Sequence, residues 1–497
     1  MHFDMSQFDS YREDNRREVK KAKGGLPLSL WETYSAFANC YGGVIILGVK
    51  ENHDGSWNMT GLESASKLKK DFWNVINDKK KVSINLLMDK DVKVYEENGK
   101  VILVIRVPRA KREQKPVYIN GNIFDGTFRR NWEGDYHCDR SEVLAMLRDQ
   151  PEETADMKIL EDMSLDVLHE ETIHAYRNRH IAFRREHVWE RLEDNEYLER
   201  IGAAKISAKD GKLHPTAAGL LMFGEEYKIL YEFPEYFLDY REVLDPTIRW
   251  TDRLQSSSGD WTGNLFDFFF RVYGKLVKDL KIPFKLEGIT RIDDTPVHKA
   301  LREALANCLV NTDFYFQRGI VIRKDVNSIT MENPGNIRTG KEQMLKGGIS
   351  DPRNKALMKM FNLIGIGERA GSGVPDIYSV WKQQGWEPPE VIEEYGPDRT
   401  ILKLSFVKSG DKKAAIKSGD KKAAIKSGDK NRAMKKTEKQ MQEILEYMTP
   451  DKEYRTAEIA TNMGIKNSRA RELMKNLVKQ GKIKAIGKNK GRRYIRK

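Results

Sequence analysis

A chain of 497 residues has room for about three domains that each bury a core of their own. No run of about 18 apolar residues is present, so the sequence predicts no membrane span. The polar, acidic start of the chain lacks the pattern of a secretory signal. Cys40, Cys138 and Cys308 are odd in number and far apart, with neither zinc spacing nor a disulfide framework. A cytoplasmic protein without a membrane partner is expected.

The net charge of +13 is unevenly distributed along the chain. Residues 407–497 hold 27 Lys and Arg against 10 Asp and Glu, a net charge of +17. The first 406 residues carry a net charge of −4. A function in binding a polyanion is therefore expected first at the C-terminus.

The segment Ser35–Gly55, SAFANCYGGVIILGVKENHDG, combines several local signals. Gly42-Gly43 is typical of a helix end followed by a chain reversal, and Val44–Val49 predicts a buried strand. Asp54-Gly55 predicts a tight turn into a returning strand. The pattern by itself favours plain scaffolding. The order of residues resembles the Schlafen-type AlbA domain, whose hallmark is AFAN, two further residues, GG and a hydrophobic strand; the resemblance spans about residues 11–149.

Acidic residues in this region allow two interpretations. Glu18 and Lys20 on an extended segment share one side, an arrangement suited to metal and phosphate binding. Together with Glu13 and Asp54, their spacing resembles that of the RNA-cleaving Schlafen proteins, which implies a nuclease site. An odd spacing between Glu13 and Glu18 requires a break in the chain between them. The alternative is a solvated face whose acids pair with nearby arginines.

Composition changes along the chain predict five segments. They are an AlbA-like domain (1–150), a mixed α/β connection (151–284), a divergent ATPase-like domain (285–406), a basic repeat linker (407–432) and a winged helix-turn-helix (433–497). The linker repeats the nine residues KSGDKKAAI from Lys408, and one Ile in nine residues cannot bury a core. It is therefore expected to be a solvated spacer.

The candidate ligand-binding side chains of the middle region lie on a helix that is predicted to start at Thr295-Pro296. Glu303, Asn307 and Asn311 share one of its faces, opposite an apolar set of leucines. A carboxylate and a carboxamide one turn apart suit a hydrated Mg²⁺ ion. The later loop Gly365–Gly373 is rich in glycine and exposes backbone N–H groups of the kind that bind phosphate.

These features resemble the ATP-binding fold of gyrase, histidine kinases and related ATPases, in the divergent version labelled a RecG-like helicase C-terminus. The resemblance implies that Glu303 polarises water, that Asn307 binds Mg²⁺, and that ATP is the ligand. It also implies nucleotide contacts from a set of further residues, namely Asn311, Gly335, Gly371, Ser372 and Gly373. The usual Asp-x-Gly-x-Gly motif, whose Asp holds adenine, is replaced by Glu332–Gly335. The alternative is a degenerate fold kept for dimerisation or signal relay.

The last 60 residues predict a compact module: a helix over Thr437–Met448, a short helix capped by Thr456, a third helix from Asn467 or Ser468 to Gln480, and a basic hairpin. This order is that of a winged helix, in which the last helix enters the DNA major groove. Protein contacts are the alternative use of such a module. The residues expected to bind DNA are Asn467, Ser468, Arg469, Arg471, Lys475, Lys488, Lys490, Arg492 and Arg493.

The sequence thus predicts an α+β multidomain protein with an AlbA/Schlafen-like N-terminal domain, an ATPase-like α/β sandwich and a C-terminal winged helix. The expected function is that of an ATP-binding and DNA-binding transcriptional regulator whose nucleotide state is coupled to nucleic-acid binding. The rival is a Schlafen-like metal-dependent nuclease acting on RNA or DNA in defence. Whether the protein hydrolyses ATP and whether it forms a homo-oligomer stay open. The sequence contains no Walker motif, so a helicase motor is not expected.

Overall fold

The computed structural model describes residues 3–245, 247–278, 280, 285–287, 290–292, 295–367, 371–408, 441, 444–445, 447–449, 452–463, 467–479, 482–486 and 493–496. At 285–287, 290–292, 467–469, 476 and 479 the backbone alone is described. The chain divides into two compact units, Met1–Val407 and Lys408–Lys497. Within the described ranges, no helix has the length and apolar character needed to cross a bilayer.

The first 150 residues build a mixed sheet with helices against it. The elements are β1 (Arg17–Lys20), α1 (Ser29–Asn39), β2 (Gly43–Leu47), β3 (Val49–Glu51), β4 (Trp57–Met59), α2 (Ala65–Ile76), β5 (Val92–Glu97), β6 (Lys100–Val107), β7 (Phe128–Asn131), β8 (Gly134–His137) and α3 (Arg140–Asp149). Four strands form one sheet in the order β1-β2-β6-β5, and only β1 and β2 run parallel. The pairs β3–β4 and β7–β8 are separate hairpins.

Strand β2 is buried along its whole length because both faces of the sheet are covered. Ile45 and Leu47 pack into the cluster formed with α1 and α2, whereas Val44 and Ile46 pack into a second cluster that contains Trp57. The predicted strand Val44–Val49 is confirmed as buried, but it breaks at Gly48, whose φ of +89° redirects the chain into β3.

The AFAN-x-x-GG motif has a packing explanation at both ends. A Cβ at Gly43 would lie 2.5 Å from the ring of Phe37, so only glycine lets α1 return directly into β2. Asn39 is fully buried at the end of α1. Its amide nitrogen donates to the carbonyls of Val117 (2.9 Å) and Phe128 (3.0 Å), and its oxygen accepts from the Val117 N–H (2.8 Å). The motif therefore ties the helix to the segment that leads into β7.

The rest of the first unit surrounds one large core. Its helices are α4 (Glu170–Phe183), α5 (Asp194–Ile201), α6 (Ala217–Phe223), α7 (Glu226–Glu232), α8 (Leu265–Val277), α9 (Pro296–Val310), α10 (Lys341–Lys346), α11 (Lys355–Leu363) and α12 (Gly373–Gln383). Its strands are β9 (Ala204–Ile206), β10 (Leu213–Pro215), β11 (Leu238–Val243), β12 (Asp252–Gln255), β13 (Lys285–Glu287), β14 (Thr290–Ile292), β15 (Ile320–Asp325), β16 (Ser328–Pro334), β17 (Glu390–Glu394) and β18 (Arg399–Ser405). Short 3₁₀ helices of the unit occupy Met5–Ser10, Asp89–Asp91, Arg112–Gln114, Ala155–Met157, Leu165–Val167, Val188–Arg191 and Ser256–Ser258.

Six of these strands form a sheet in the order β12-β11-β15-β16-β18-β17, in which only β11 and β15 are parallel. Helices α8, α9 and α12 share the core with its inner face. Helix α9 starts as predicted, with Thr295 at the N-cap and Pro296 at the first position. Leu301, Leu305 and Leu309 are fully buried along one side, which leaves the opposite side of α9 for polar residues. The α+β multidomain prediction is confirmed.

The second unit contains α13 (Thr456–Asn462), α14 (Asn467–Lys479), β19 (Ile483–Ile486) and β20 (Arg493–Arg496), and β19 and β20 pair antiparallel. Met441, Ile444 and Met448 are buried in the same cluster as residues of α14 and β19. The predicted cap at Thr456 is wrong: Thr456 is the first helical residue and Arg455 is the N-cap. The Glu458 carboxylate instead accepts the Arg455 N–H at 3.0 Å. Residues 409–440 lie outside the described residues, and they include most of the repeat linker predicted at 407–432 and the start of the predicted helix Thr437–Met448.

Candidate functional site

The polar side of α9 opens into a cleft that contains most of the predicted nucleotide residues. Glu303, Asn307 and Asn311 all line this cleft, together with Gly371 and Gly373. The Asn307 amide donates to Glu303 Oε1 at 3.0 Å, because residues four apart on a helix are neighbours. Asn311 is the C-cap of α9, and its amide donates to the Asn307 carbonyl at 3.0 Å. The helix thus places a linked row of oxygen atoms along one wall.

The glycine-rich loop approaches Glu303 as closely as a backbone can. A Cβ at Gly373 would fall 1.9 Å from Glu303 Oε1, so any other residue would displace the carboxylate. Gly371 has a φ of +68°, and a Cβ there would meet the backbone of Ile349 at 2.8 Å. Ser372, between them, occupies the N-cap of α12. The part of the loop at 368–370 lies outside the described residues.

Gly335 lies outside this cleft and shapes the exit of β16 instead. Its φ is +96°, and its N–H donates to the Asp398 carbonyl at 3.0 Å. Its own carbonyl accepts from the Thr400 hydroxyl at 2.8 Å. A Cβ at Gly335 would meet the guanidinium of Arg353 at 3.0 Å. The glycine therefore allows the close packing of β16, β18 and Arg353 behind the cleft.

One end of the cleft, beside the segment that replaces the usual Asp-x-Gly-x-Gly motif, carries a carboxamide in place of a carboxylate. Glu332 does not line the cleft and pairs with Arg399 at 2.9 Å. Asn333 does line it, is buried, and donates to the Pro334 carbonyl at 3.2 Å. Apolar side chains that include Met331 and Leu402 complete this end. The wall suits a flat, largely apolar ligand with few polar contacts.

The rim of the cleft is tied to the N-terminal domain through buried ion pairs. Arg109 binds the Glu393 carboxylate with two nitrogens (2.8 and 3.2 Å) and donates to the Ile337 carbonyl at 2.7 Å. The Ile337 N–H in turn donates to Glu393 at 2.9 Å. Arg112 pairs with Asp351 at 2.9 Å. Ile337 and Asp351 both line the cleft, so residues of the N-terminal domain contact its rim directly.

Behind this rim, burial shifts the pKa values of several groups. Burial, reinforced by the positive charge of Arg109, lowers the pKa of Lys115 to about 8. Burial also raises the pKa of Asp398 to about 6, although Asn336 donates to this carboxylate at 2.7 Å. Both groups border a small cavity between the domain of residues 1–150 and the six-stranded sheet. The contact between the two domains therefore contains buried polar groups whose pKa values are shifted toward neutrality.

Two of the acids predicted for the N-terminal domain converge. A turn at Asn15-Arg16 supplies the break between Glu13 and Glu18. Glu18 pairs with Lys20 at 2.9 Å, as their spacing predicted, and with the buried Arg130 at 2.8 Å. Glu13 accepts from the Val19 N–H at 2.8 Å. Burial raises the pKa of Glu13 to about 7, and the negative charges of Glu18 and Glu51 add to the rise.

Asp54 does not join these acids. Its carboxylate accepts from the Ser56 backbone at 2.9 Å and from the Ser56 hydroxyl at 2.6 Å, and these bonds lower its pKa. It stabilises its own exposed turn between β3 and β4. The acid that does act on Glu13 from this hairpin is Glu51, which sequence reasoning missed. Alternation along β3 is the signal that places Glu51 on the same side as Val49, toward β1.

Among the described residues, no three His, Cys, Asp or Glu side chains are arranged to hold a metal ion. All three cysteines are free and buried. Burial raises the pKa of Cys40 and of Cys308 to about 12, and Cys308 lines the cleft on α9. These thiols are therefore protonated at neutral pH and unsuited to nucleophilic or metal chemistry.

The basic residues of the second unit are described in part. Arg471 and Lys475 on α14 are exposed, and Arg493 on β20 pairs with Glu453 at 3.0 Å. The side chains of Asn467, Ser468 and Arg469 lie outside the described residues, as do Lys488, Lys490 and Arg492 entirely. Their assignment to DNA stays a prediction.

Family models match four parts of the chain. Residues 10–138 match "Schlafen, AlbA_2", and residues 318–400 match "Putative ATP-dependent DNA helicase recG C-terminal". Residues 144–239 match a domain of unknown function, and residues 440–494 match "FaeA-like protein". No curated protein gives a significant match.

Solved structures that match the chain include the following two. The DIP2311 protein from Corynebacterium diphtheriae is 15% identical, with 97% of this chain and 95% of that chain covered and a TM-score of 0.40. The N-terminal domain of a putative ATP-dependent DNA helicase RecG-related protein from Nitrosomonas europaea is 28% identical, with 27% of this chain and 89% of that chain covered and a TM-score of 0.22. On the family matches, this chain joins a Schlafen AlbA_2 domain at residues 10–138 to an ATPase-like domain of the RecG C-terminal type at residues 318–400.

Proposed function

We propose that the protein is a nucleotide-responsive regulator that binds nucleic acid. Its cleft takes ATP with Mg²⁺, and its AlbA domain and basic C-terminal unit bind DNA, with RNA as a further substrate of the AlbA domain. One observation carries the proposal: the linked pair Glu303–Asn307 faces Gly373 in a cleft whose rim is hydrogen-bonded to the AlbA domain. A change in the cleft is therefore passed to the AlbA domain through direct contacts.

The residues of the cleft fit a magnesium nucleotide. Because the Asn307 amide nitrogen is used by Glu303, its carbonyl oxygen remains for a metal ion. Mg²⁺ needs only one or two protein ligands when phosphates and water complete its coordination shell. Binding of a magnesium nucleotide therefore does not require a cluster of three metal-binding side chains, which the described residues do not contain. Bound Mg²⁺ would neutralise charge on the phosphate oxygens. Glu303 would orient a water molecule, and the backbone at Gly371–Gly373 would lie along the phosphates.

Calorimetry with ATP and Mg²⁺ tests the cleft. Asn307→Ala should weaken binding about ten- to hundredfold, whereas Glu303→Gln should bind ATP and fail to hydrolyse it. The same titrations repeated with duplex DNA present should give a different ATP affinity, since coupling is reciprocal. Wild-type protein that binds no ATP would overturn the proposal. Equal ATP affinity with and without DNA would remove the regulatory part alone.

A second function, metal-dependent cleavage of RNA or DNA, is favoured by the convergence of Glu13, Glu18 and Lys20. The acids as placed do not fit a metal ion, because Lys20 and Arg130 already occupy the two oxygens of Glu18. This function therefore ranks below the regulator. Labelled tRNA and duplex DNA incubated with Mg²⁺ or Mn²⁺ decide between them. Cleavage that is lost in Glu18→Gln would place the nuclease first, and intact substrates would exclude it.

A further inference from the structure

Arg338 is a buried cation at the cleft. It lies in the turn between β16 and α10, lines the cleft, and keeps only 3% of its side chain exposed. One terminal nitrogen donates to the Pro352 carbonyl at 3.0 Å. The second donates to the Asp149 carbonyl at 3.5 Å. Its Nε lies 3.4 Å from Asp351 Oδ2, but it makes no hydrogen bond. A buried guanidinium with an unsatisfied donor is costly unless another group completes it.

Arg338 competes with two other arginines for its carboxylate partners. Asp149 and Asp351 attract it, whereas Arg112 and Arg353 repel it. Asp149 is already paired with Arg353, and Asp351 is closer to Arg112 (2.9 Å) than to Arg338 (3.4 Å). Arg112 also lies 3.4 Å from Glu113, and Arg353 is also attracted by Asp313. Arg338 shares both of its carboxylates with another guanidinium group and therefore has the weakest pairing of the three.

We propose that Arg338 is the anion-binding residue of the cleft, and that it takes the phosphate oxygens of a nucleoside polyphosphate or of free polyphosphate. A phosphate offers the oxygen acceptors that the guanidinium lacks, in a bidentate geometry that suits arginine. The inference rests on the proposed nucleotide function and adds to it the residue that anchors the phosphate end.

Asp351 then acts as a competitor for Arg338. Its carboxylate is held between Arg338 and Arg112, and Arg112 belongs to the AlbA domain. Arg112 is itself fixed by the carbonyls of Asp149 (3.0 Å) and Gln150 (2.8 Å). An anion on Arg338 releases Asp351 toward Arg112, so anion binding strengthens the contact between Asp351 and the AlbA domain. The anion site and the contact between domains are therefore linked through one carboxylate.

Calorimetry on the full chain in magnesium buffer, with ATP, adenosine and tripolyphosphate as separate probes, tests the inference. Arg338→Gln should weaken ATP and tripolyphosphate about ten- to hundredfold and leave adenosine unchanged. Asp351→Asn should tighten both anions by about threefold or more, because it removes the competing charge and keeps an acceptor for Arg112. Arg323→Gln is the matched control, since Arg323 is 53% exposed, pairs with Asp325 and does not line the cleft.

The opposite signs separate anion binding from a structural role, since damage to the cleft would weaken binding in both variants. If Arg338→Gln unfolds, the Asp351→Asn titration still decides. Unchanged affinity in Arg338→Gln, or weaker anion binding in Asp351→Asn, overturns the inference while ATP binding by the wild type stands. Wild-type protein that binds tripolyphosphate but not ATP, with that binding lost in Arg338→Gln, supports the anion site and overturns the nucleotide function. If the wild-type protein binds neither ATP nor tripolyphosphate, both the anion site and the nucleotide function are overturned.

Discussion

Glu13 is the carboxyl whose environment departs most clearly from what its sequence suggests. Its sequence context predicts either a nuclease site or a solvated face. It lies partly buried near Glu18 and Glu51, with Arg130 as the opposing charge, and these surroundings raise its pKa to about 7. Because the folded state holds this proton more tightly than the unfolded chain, ionisation of Glu13 destabilises the fold.

Glu13→Gln should therefore stabilise the protein at high pH. The penalty is fully present above pH 7, falls as Glu13 takes up its proton, and vanishes below its unfolded pKa of 4.5. The amide keeps an oxygen for the Val19 N–H. After a discount for solvent screening of this partly exposed group, the gain at pH 8.5 should be roughly 1–2 kcal/mol, and it should be close to zero at about pH 3.5. Urea denaturation at both pH values measures it.

The exposed Glu63→Gln is the control and should change stability at neither pH. Comparison of each variant with the wild type at the same pH cancels the titration of Glu142 and Asp398, whose pKa values are also raised by burial. A gain in Glu13→Gln that is equal at both pH values would show that Glu13 carries no such penalty.

For individual residues, sequence spacing predicts which side chains are neighbours within one helix or strand. It does not predict which side chains from separate segments come into contact. Glu303 and Asn307 sit on one helix, and helical spacing placed them together correctly. Arg338 and Asp351 lie in separate turns and meet only because α10 returns the chain to the cleft. No periodicity relates them. A charged residue soon after the Pro334-Gly335 strand exit is the one local signal that was available.

At the scale of elements, the contact between the AlbA domain and the sheet rests on buried charge. Glu393 on β17 keeps 3% of its side chain exposed and depends on Arg109, which follows β6. Removal of one partner from such a pair leaves an uncompensated charge in the interior. These two domains are therefore held in one arrangement by polar contacts that tolerate few substitutions.

Arg109→Ala should destabilise the first unit by about 3–5 kcal/mol. Arg200→Ala is the matched control, because Arg200 pairs with Glu196 on the surface of α5 at 3.3 Å with both side chains about half exposed. It should cost less than about 0.5 kcal/mol. Urea denaturation of the full chain measures both. A loss in Arg109→Ala as small as that of the control would show that this pair does not hold the domains together.

Elements with strong local signals were predicted well. The buried strand β2, the Asp54-Gly55 turn and the start of α9 all follow from glycine, proline and apolar runs. The six-stranded sheet was not foreseen in detail, because β11 pairs with β15 across more than 70 residues and no local pattern encodes that partner. The role of Gly335 was also hidden, since its packing against Arg353 depends on that distant arrangement.

At the scale of the whole molecule, charge separates the two units. The second unit, with the linker, carries a net charge of +17, whereas the first carries a small net negative charge. Deletion of residues 408–497 should therefore lower the affinity for duplex DNA at least tenfold and flatten its dependence on salt. Fluorescence anisotropy at several salt concentrations measures both quantities.

A charge-neutralising variant of the full chain separates a specific DNA surface from general attraction. Arg471→Ala with Lys475→Ala removes two exposed cations of α14 and should reduce the salt slope by about two. Circular dichroism should show that the truncated protein, residues 1–407, keeps its fold. Undiminished DNA binding by that protein would move the DNA site to the AlbA domain.

The alkylation rates of the three buried thiols can report local opening of the fold. Alkylation needs both an exposed sulfur and an ionised one, and the fold withholds both at Cys40, Cys138 and Cys308. Each thiol therefore reacts only when the structure around it opens, so its labelling rate reports how often that local opening occurs. Cys308 reports on the wall of the cleft, and Cys40 reports on the end of α1 beside Tyr395 of the sheet domain. Mass spectrometry of timed labelling can thus follow the two places separately in one unmodified molecule.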